Sequence, residues 1–305
     1  MSRPLVFLAL LYVVTCWGLN TDLVKIAIAS LDPLAFISLR FLVMPPLALL
    51  LVWLAGERLH VERRDLPLLV LCAACGYGLY QYCWVVGLAN TTAFASALLG
   101  SLAPMFTLAI VAIAGHEIVR GGRWVGAAIA LIGVAIFEGA FSGFVTFRLG
   151  DALALLGAVI FAVYNVVSAR LLDRYSPLAL LAITMCIGAV MIVPSGIPAI
   201  LHTNFARVPW HVWAIFSYSV LFPIMLTYPV WSWGMTRIGA ARVSLFSYLV
   251  PVIAGALSIP LLGAHIFGHE LVGAAVCIIG MIVASILGRF SLAEWWSSRT
   301  LGVER

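Results

Sequence analysis

The stretch WVVGLANTTAFASALLGSLAP, residues 84–104, has a second copy in the chain, WSWGMTRIGAARVSLFSYLVP, residues 231–251. A shift of 147 positions superimposes the copies and aligns Trp84 with Trp231, Gly87 with Gly234 and Pro104 with Pro251. With the same shift and no gap, GAAIALIG at 126–133 falls on GAAVCIIG at 273–280. Chance does not readily supply both blocks in one register, so the chain is an internal duplication.

The composition identifies the surroundings in which this duplicated chain folds. Of its 305 residues, 64% are hydrophobic and 10% are charged, and the mean hydropathy is +1.14. A soluble protein of this size needs more polar surface, and the apolar blocks are continuous and about twenty residues long, as membrane-spanning helices require. The sequence therefore predicts an all-α integral membrane protein with ten transmembrane helices, near 5–29, 33–55, 67–88, 93–115, 122–140, 149–172, 177–200, 210–235, 240–262 and 267–288.

The ten spans divide into two repeats of five, residues 1–142 and residues 143–305, the second ending in a short cytoplasmic tail. An odd number of spans in each repeat makes the two repeats enter the membrane in opposite directions. Inverted repeats are the architecture of secondary transporters, which bind substrate between the repeats near the bilayer midplane. The connections between spans are short, so the chain has no room for an aqueous catalytic domain.

The basic residues predict the orientation of the chain in the membrane. With the N-terminus inside, most arginines fall on one side, which leaves Lys25, Arg40, Arg148 and Arg207 for the other side or the spans. By the positive-inside rule, both termini are cytoplasmic, in the cell inner membrane of a bacterium. The net charge of +5 is therefore a topology signal and not a sign of nucleic-acid binding. Whether the protein is monomeric or homo-oligomeric is left open.

Three further stretches resemble a known family. CWGLNTDLVKIAIASLDPLAFISLRF at 16–41, its repeat FAVYNVVSARLLDRYSPLALLAI at 161–183 and the block at 101–136 resemble the EamA family of the drug/metabolite transporter superfamily. The resemblance implies ten helices in inverted five-helix repeats and the export of amino acids or other small metabolites. The aromatic third helix looks most like the YddG-type amino-acid and metabolite exporters. The second repeat departs from the pattern, because it has Ala264 where the first has Glu117.

An unusual run of polar aromatic residues, GYGLYQYCWVVGL at 76–88, interrupts the third predicted span. Several of its side chains share one helical face, where they can line a cavity or bond neighbouring helices. We expect a substrate cavity lined by the first, third, fourth, sixth, eighth and ninth helices, since aromatic faces attract an ammonium group. The candidate substrate-binding residues are Trp17, Asn20, Tyr77, Tyr80, Gln81, Tyr82, Trp84, Tyr164, Asn165, Tyr228, Trp231, Ser244, Ser247 and Tyr248.

Three charged residues near the outer ends of the first two helices need partners, because a charge in the bilayer is costly. We expect Asp22 to form a structural ion pair with Arg40 or Lys25; the alternative is that Asp22 is a proton or cation site coupled to transport. Glu138 is expected to be solvated. The absence of a carboxylate pair common to both repeats favours facilitated diffusion over proton coupling.

No cofactor, metal or covalent chemistry is predicted. His265 and His269 have the spacing of metal ligands but lie at a predicted turn, and the six cysteines are interpreted as packing residues. Gly122, Gly126 and Gly133 are interpreted as close helix contacts. The alternatives to an amino-acid exporter are a multidrug or nucleotide-sugar-like carrier of the same fold, an intramembrane lipid-handling enzyme and a structural scaffold.

Overall fold

The computed structural model describes residues 3–57, 59–113, 121–137, 147–238, 243 and 245–287. Throughout these ranges the chain forms helices with short connections, and no strand is present in them. The prediction of an all-α membrane protein is therefore confirmed. Three residues named above, Glu117, Glu138 and Ser244, lie outside the described residues.

The helices are numbered in chain order among the described residues. They are α1 Arg3–Ala27, α2 Pro33–Leu54, α3 Leu66–Ala73, α4 Leu79–Ala89, α5 Ala93–Gly100, α6 Ala103–Ile113, α7 Gly121–Phe137, α8 Leu149–Leu171, α9 Pro177–His202, α10 Trp210–Val220, α11 Thr227–Ile238, α12 Val250–Leu262 and α13 Gly268–Leu287.

Within the described part of the chain, six helical segments are long and apolar enough to cross a membrane. They are Pro4–Ala27, Pro33–Leu54, Arg63–Ala89, Leu149–Leu171, Pro177–His202 and Trp210–Ile238. Four shorter apolar helices lie within the remaining predicted spans: Ala93–Thr107, Trp124–Phe137, Phe246–Leu262 and Gly268–Val283. Because those four are shorter than a full span, the count of ten stays a prediction.

Two of the long segments contain a π-helical turn at the same position of the duplication. Ala74–Gly78 joins α3 to α4, and Leu221–Leu226 joins α10 to α11. The shift of 147 that aligns the sequences carries Ala74 onto Leu221, so the two turns correspond. A π-helical turn interrupts the regular hydrogen-bond ladder and often occurs at functional sites. The duplication is therefore visible in the backbone as well as in the sequence.

The fourth and ninth predicted spans, 93–115 and 240–262, are broken helices, which corrects the expectation of continuous ones. In the first, α5 ends at Gly100 and α6 begins at Ala103. In the second, a 3₁₀ segment, Leu245–Leu249, precedes α12. The residue after each break is followed by a proline, Pro104 or Pro251, whose missing N–H prevents the ladder from continuing backwards.

The two corresponding helices α1 and α8 run in opposite directions. Lys25, near the end of α1, donates to carbonyl oxygens at the end of α4. Arg174, just after α8, forms an ion pair with Asp65 at the start of α3. Because α3 and α4 form one rod through the π-helical turn, α1 and α8 end at opposite ends of that rod. Inverted repeats require this arrangement.

The described helices form two compact units. The first, Met1–Ala103 with Arg148–Ala264, contains α1 to α5 and α8 to α12. Its α2 packs on α9, and the two helices begin alike, because Asp32 and Ser176 cap them and a proline follows each cap. Each unit takes segments from both predicted repeats, and the repeat boundaries at residues 142 and 143 stay a prediction.

The second unit is Pro104–Phe147 with His265–Arg305, and its main contact is between α7 and α13. A Cβ atom added to Gly133 would overlap the backbone of Cys277, and one added to Gly273 would overlap the backbone of Phe137. A Cβ atom on Gly280 would lie 2.7 Å from the carbonyl oxygen of Gly126. The prediction that Gly126 and Gly133 mark close helix contacts is therefore confirmed.

Candidate functional site

Seven aromatic side chains meet inside the first compact unit. We call them the aromatic cluster; α1, α4, α8 and α11 and the π-helical turn before α4 supply its members, which are Trp17, Tyr77, Tyr80, Phe161, Tyr164, Tyr228 and Trp231. Six of the seven are candidate residues of the sequence analysis. Segments from both halves of the chain contribute, although sequence spacing alone relates only residues on one helix.

Trp17, from the first half of the chain, contacts three cluster members from the second half. Its ring centroid lies 4.7 Å from that of Trp231, 5.8 Å from that of Tyr228 and 6.3 Å from that of Phe161. Its indole N–H donates to the carbonyl oxygen of Pro223 and to the hydroxyl of Thr227, both at 2.9 Å. Since Pro223 lies in the second π-helical turn, this indole ties α1 to the irregular part of the eighth predicted span.

Tyr77 occupies the matching π-helical turn of the first half. Its ring centroid is 5.9 Å from that of Tyr164 and 5.2 Å from that of Tyr228. The neighbouring Gly76 makes room for Tyr164, because a Cβ atom there would lie 2.5 Å from its ring. Gly188 on α9 makes room for Tyr77 in the same way, with the added Cβ atom 2.7 Å from the Cβ of Tyr77. Two glycines thus allow the close approach of these rings.

Buried polar atoms without a hydrogen-bond partner accompany the aromatic cluster. They are Oδ1 of Asn20, Oε1 of Gln81, Oδ1 of Asn165 and Nε1 of Trp231. Trp231 is a member of the cluster, Gln81 and Asn165 are each adjacent in sequence to a member, and Asn20 is one helical turn from Trp17. Buried polar side-chain atoms in proteins are nearly always paired, so an unpaired group of this kind requires an explanation. A polar ligand is one such explanation.

Arg40, on α2, is fully buried beside the aromatic cluster. One of its terminal nitrogens donates to the carbonyl oxygen of Ser219 at 3.1 Å, and the guanidinium carbon lies 5.9 Å from the ring centroid of Trp84. Its charge also interacts with the phenols of Tyr80 and Tyr228. The remaining nitrogens, Nε and Nη1, have no partner.

The expected ion pair of Asp22 with Arg40 or Lys25 is wrong. Asp22 instead accepts a hydrogen bond from the hydroxyl of Ser258 on α12. Lys25 donates to three backbone carbonyl oxygens, those of Leu88 at 2.6 Å, Ala89 at 3.3 Å and Thr91 at 2.7 Å. The physical reason is that α4 ends beside α1, and the last carbonyls of a helix have no partner within it and attract a cation.

Comparison with known proteins identifies the family of this chain. A model of the EamA-like transporter family matches residues 4–138 and again residues 148–286. The chain belongs to the EamA-like transporter family. It is a multi-pass membrane protein, a transporter with a small-molecule substrate and not an enzyme, as the sequence analysis expected. The lipid-handling enzyme and the structural scaffold are thereby set aside.

Relatives of this transporter include proteins named as exporters. A probable terminal-alkyne amino-acid exporter of Streptantibioticus cattleyicolor is 29% identical over 286 residues, which cover 92% of this chain and 94% of the relative. A probable amino-acid metabolite efflux pump of Salmonella typhimurium is 28% identical, covering 93% and 95%. An uncharacterized transporter of Bacillus subtilis, YyaM, is 26% identical, covering 88% and 89%. The names describe those proteins.

A solved structure gives an independent likeness. A crystal structure titled only as that of a protein superimposes on the transporter with a TM-score of 0.70 over 94% of this chain and 98% of the other. At 22% sequence identity, this likeness shows the fold alone.

Two candidate residues, Tyr82 and Trp84, are not members of the aromatic cluster of this transporter. Tyr82 is 38% exposed on the outer face of α4, and Trp84 packs over Arg40. Ser247 and Tyr248 lie in the 3₁₀ segment before α12. Ser244 lies outside the described residues.

Sequence reasoning missed Phe161 as a member of the cluster. The signal that identifies it is the alignment of Pro33 with Pro177, a shift of 144 positions, which carries Trp17 onto Phe161. Both are aromatic, and both face the cluster. Arg40 was also assigned only a structural role, because the spacing along α2 does not reveal that no carboxylate among the described residues pairs with it.

The described loops of the transporter hold two sets of contacts at opposite ends of the α3–α4 rod. At one end Asp65 pairs with Arg174 and accepts from the phenol of Tyr175 at 3.1 Å, while Ser176 donates to Glu57. A cavity of about 290 Å³ lies among these residues. At the other end, Thr91 donates to Asp151, which also accepts from the backbone N–H of Arg148 at 2.7 Å. Each set connects the two halves of the chain.

Proposed function

We propose that this transporter exports amino acids, including aromatic or apolar ones, and related small metabolites across the cytoplasmic membrane by alternating access. In this proposal the aromatic cluster binds the substrate, and both termini are cytoplasmic. The observation that carries the proposal is the set of unpaired polar atoms of Asn20, Gln81, Asn165 and Trp231, buried in or beside a cage of aromatic rings. The printed names of the exporters and efflux pumps among the relatives support the choice of substrate class.

The chemistry of the cluster matches an amino acid with an apolar side chain. Three of the four unpaired atoms, those of Asn20, Gln81 and Asn165, are amide oxygens, which accept hydrogen bonds from an ammonium group. Aromatic faces attract the same group electrostatically and also contact an apolar side chain. The cluster therefore fits an amino acid with an apolar side chain better than a strongly charged metabolite.

The closed packing of the cluster explains why transport needs a conformational change. Tyr77, Tyr164 and Trp231 are almost fully buried, so a substrate reaches the polar atoms only when the rings separate. The two π-helical turns lie beside these rings, where the regular ladder is already interrupted and bending costs less. The two sets of loop contacts lie at the two ends of the same unit. We propose that each opens in turn while the other stays closed.

Two neighbouring tyrosines provide the test. Tyr80 belongs to the cluster, with its ring centroid 4.8 Å from that of Phe161, whereas Tyr82 is exposed on the same helix. Efflux of radiolabelled L-phenylalanine from proteoliposomes is compared for wild type, Tyr80→Ala and Tyr82→Ala. We expect Tyr80→Ala to lower the flux about tenfold or more, since an aromatic pair and a buried ring contact are lost, and Tyr82→Ala to keep it within about twofold.

Two outcomes contradict the proposal. Wild-type protein without flux of any amino acid refutes the substrate class, and efflux of a radiolabelled cationic drug or nucleotide sugar in a parallel screen would then favour the alternative carriers. Equal flux in Tyr80→Ala and wild type refutes the placement of the site. Repeating the measurement with an imposed pH gradient tests facilitated diffusion, for which the flux does not depend on the gradient; dependence on it would direct attention to Asp22.

A further inference from the structure

We propose that Arg40 binds the carboxylate of the transported substrate, and this inference rests on the proposed function. It adds a residue that sequence reasoning assigned to a structural ion pair. It also restricts the substrate class to molecules that carry a carboxylate next to the ammonium and the apolar group.

A buried guanidinium without a counter-ion is costly. Arg40 is fully buried in a membrane-spanning helix, and no carboxylate of a described residue lies within ion-pair distance of it. Asp22, which the sequence offered as its partner, bonds Ser258 instead. Intramembrane charges normally pair with one another or with backbone carbonyls and often mark substrate pathways, and an uncompensated buried charge strongly destabilises a protein. The single carbonyl of Ser219 does not neutralise the charge of Arg40. The missing partner is therefore expected to be supplied by the substrate.

The guanidinium of Arg40 is fixed in position and still has unused hydrogen-bond donors. Its bond to the carbonyl oxygen of Ser219 and its contacts with the rings of Phe36, at 5.7 Å, and Trp84, at 5.9 Å, fix its position. Nε and Nη1 remain without a partner. A planar guanidinium matches the geometry of a carboxylate, and charge-assisted hydrogen bonds of this kind are about twice as strong as neutral ones.

Arg40 is next to the proposed substrate site. Its charge interacts with the phenols of Tyr80 and Tyr228, which are both members of the aromatic cluster. Gln81, adjacent to Tyr80 on α4, has an unpaired amide oxygen. An acceptor for an ammonium and donors for a carboxylate are thus both found near Tyr80, as a zwitterion requires.

The fold does not need an arginine at this position. The shift of 144 that aligns Pro33 with Pro177 carries Arg40 onto Thr184 in α9. Thr184 is also buried, and its hydroxyl bonds the carbonyl oxygen of Leu180 at 2.5 Å within its own helix. Because a small neutral residue fills the corresponding position of the other half, packing alone does not explain the cation.

The experiment compares three probes that share one phenyl ring. L-phenylalanine carries both charges, 3-phenylpropanoate only the carboxylate, and phenethylamine only the ammonium. Binding to purified protein is measured by competition with radiolabelled L-phenylalanine for wild type, Arg40→Lys and Arg40→Gln. The matched control is Arg207→Gln, which removes the same charge from an exposed loop.

We expect the wild type and Arg207→Gln to bind L-phenylalanine most tightly and to bind 3-phenylpropanoate. Arg40→Gln is expected to bind L-phenylalanine about 10- to 100-fold more weakly, with phenethylamine unchanged, and Arg40→Lys to fall between. If Arg40→Gln does not fold, Arg40→Lys and the wild-type order of the three probes decide the question.

Two results overturn the inference while the proposed function stands: wild type that binds phenethylamine as tightly as L-phenylalanine, or an Arg40 variant with wild-type affinity for L-phenylalanine. In both cases L-phenylalanine is still bound and its efflux is still measurable. Wild type that neither binds nor transports any amino acid overturns the inference and the proposed function together.

Discussion

Trp17 and Phe161 pack edge to face with their ring centroids 6.3 Å apart, and they occupy corresponding positions in the two halves of the chain. A two-fold axis brings a residue into contact with its own counterpart only close to the axis. If the halves are related by such an axis in the membrane plane, as inverted repeats are, this contact lies beside it. The aromatic cluster then lies at the centre of the inverted repeat, where transporters of this architecture bind their substrates.

Substitution of Gln81 distinguishes a ligand-binding role of its amide from a structural one. Its amide oxygen is buried and unpaired, while the rest of the amide hydrogen-bonds the phenol of Tyr228. We expect Gln81→Leu to lower the melting temperature only slightly, because loss of the bond to Tyr228 is offset by removal of an unpaired buried oxygen. The affinity for L-phenylalanine is expected to fall about tenfold through loss of one hydrogen bond to a charged group.

The control for Gln81→Leu is Thr227→Val, which removes a buried hydroxyl that is paired. That hydroxyl accepts from Trp17 and donates to the carbonyl oxygen of Pro223 at 2.5 Å. We expect Thr227→Val to lower stability by about 1–3 kcal/mol. Equal loss of stability in the two variants, with unchanged affinity in Gln81→Leu, would mean that the amide has only a structural role.

Asp65 is expected to control the opening of one end of the transporter. Asp65→Asn removes the ion pair with Arg174, which connects the loop before α3 to the loop after α8. A loss of about 1 kcal/mol raises the open population about fivefold. Hydrogen exchange followed by mass spectrometry should show faster exchange in peptides covering these loops. Peptides around Thr91, at the other end, should not change.

The matched control for Asp65 is Arg64→Gln on the neighbouring residue. Arg64 forms an exposed ion pair with Glu62 at 2.5 Å, and exposed pairs contribute little to stability. We expect no change in exchange. Faster exchange in both variants would show that any charge change in this loop opens it.

Lys25 is expected to stabilise the end of α4 rather than to take part in transport. Lys25→Met removes the donor to the carbonyl oxygens of Leu88, Ala89 and Thr91. We expect a loss of stability of about 1–3 kcal/mol, measured as a lower melting temperature in detergent, and a smaller loss in Lys25→Arg. The affinity for L-phenylalanine should be unchanged in both. A melting temperature equal to wild type in Lys25→Met would refute the capping role.

Gly273 is expected to be essential for the packing of α7 on α13. Its Cβ would overlap the backbone of Phe137, which cannot yield as a side chain can. We expect Gly273→Ala to destabilise the protein by about 1–3 kcal/mol or more. Gly268→Ala, on the same helix with no atom within 4 Å of the added Cβ, is the control and should be close to neutral. Equal melting temperatures for the two variants would contradict the close approach.

The sequence by itself determined the membrane environment, the duplication and most members of the aromatic cluster. Hydropathy and helical spacing are local properties, so they predicted the long spans and the shared face of Tyr77, Tyr80 and Gln81. The repeat alignment also contained the correspondence of Trp17 with Phe161, although only the structure drew attention to it.

Tertiary structure alone decided which side chains pair across helices. Asp22, Lys25 and Arg40 are close in sequence, and their charges predicted an ion pair, yet each has a partner on a different helix. Spacing along the chain does not define how helices rotate about their axes or where their ends meet. The end of α4 therefore took Lys25 as its cap, α12 supplied a hydroxyl to Asp22, and Arg40 was left with two nitrogens that bond nothing in the described protein.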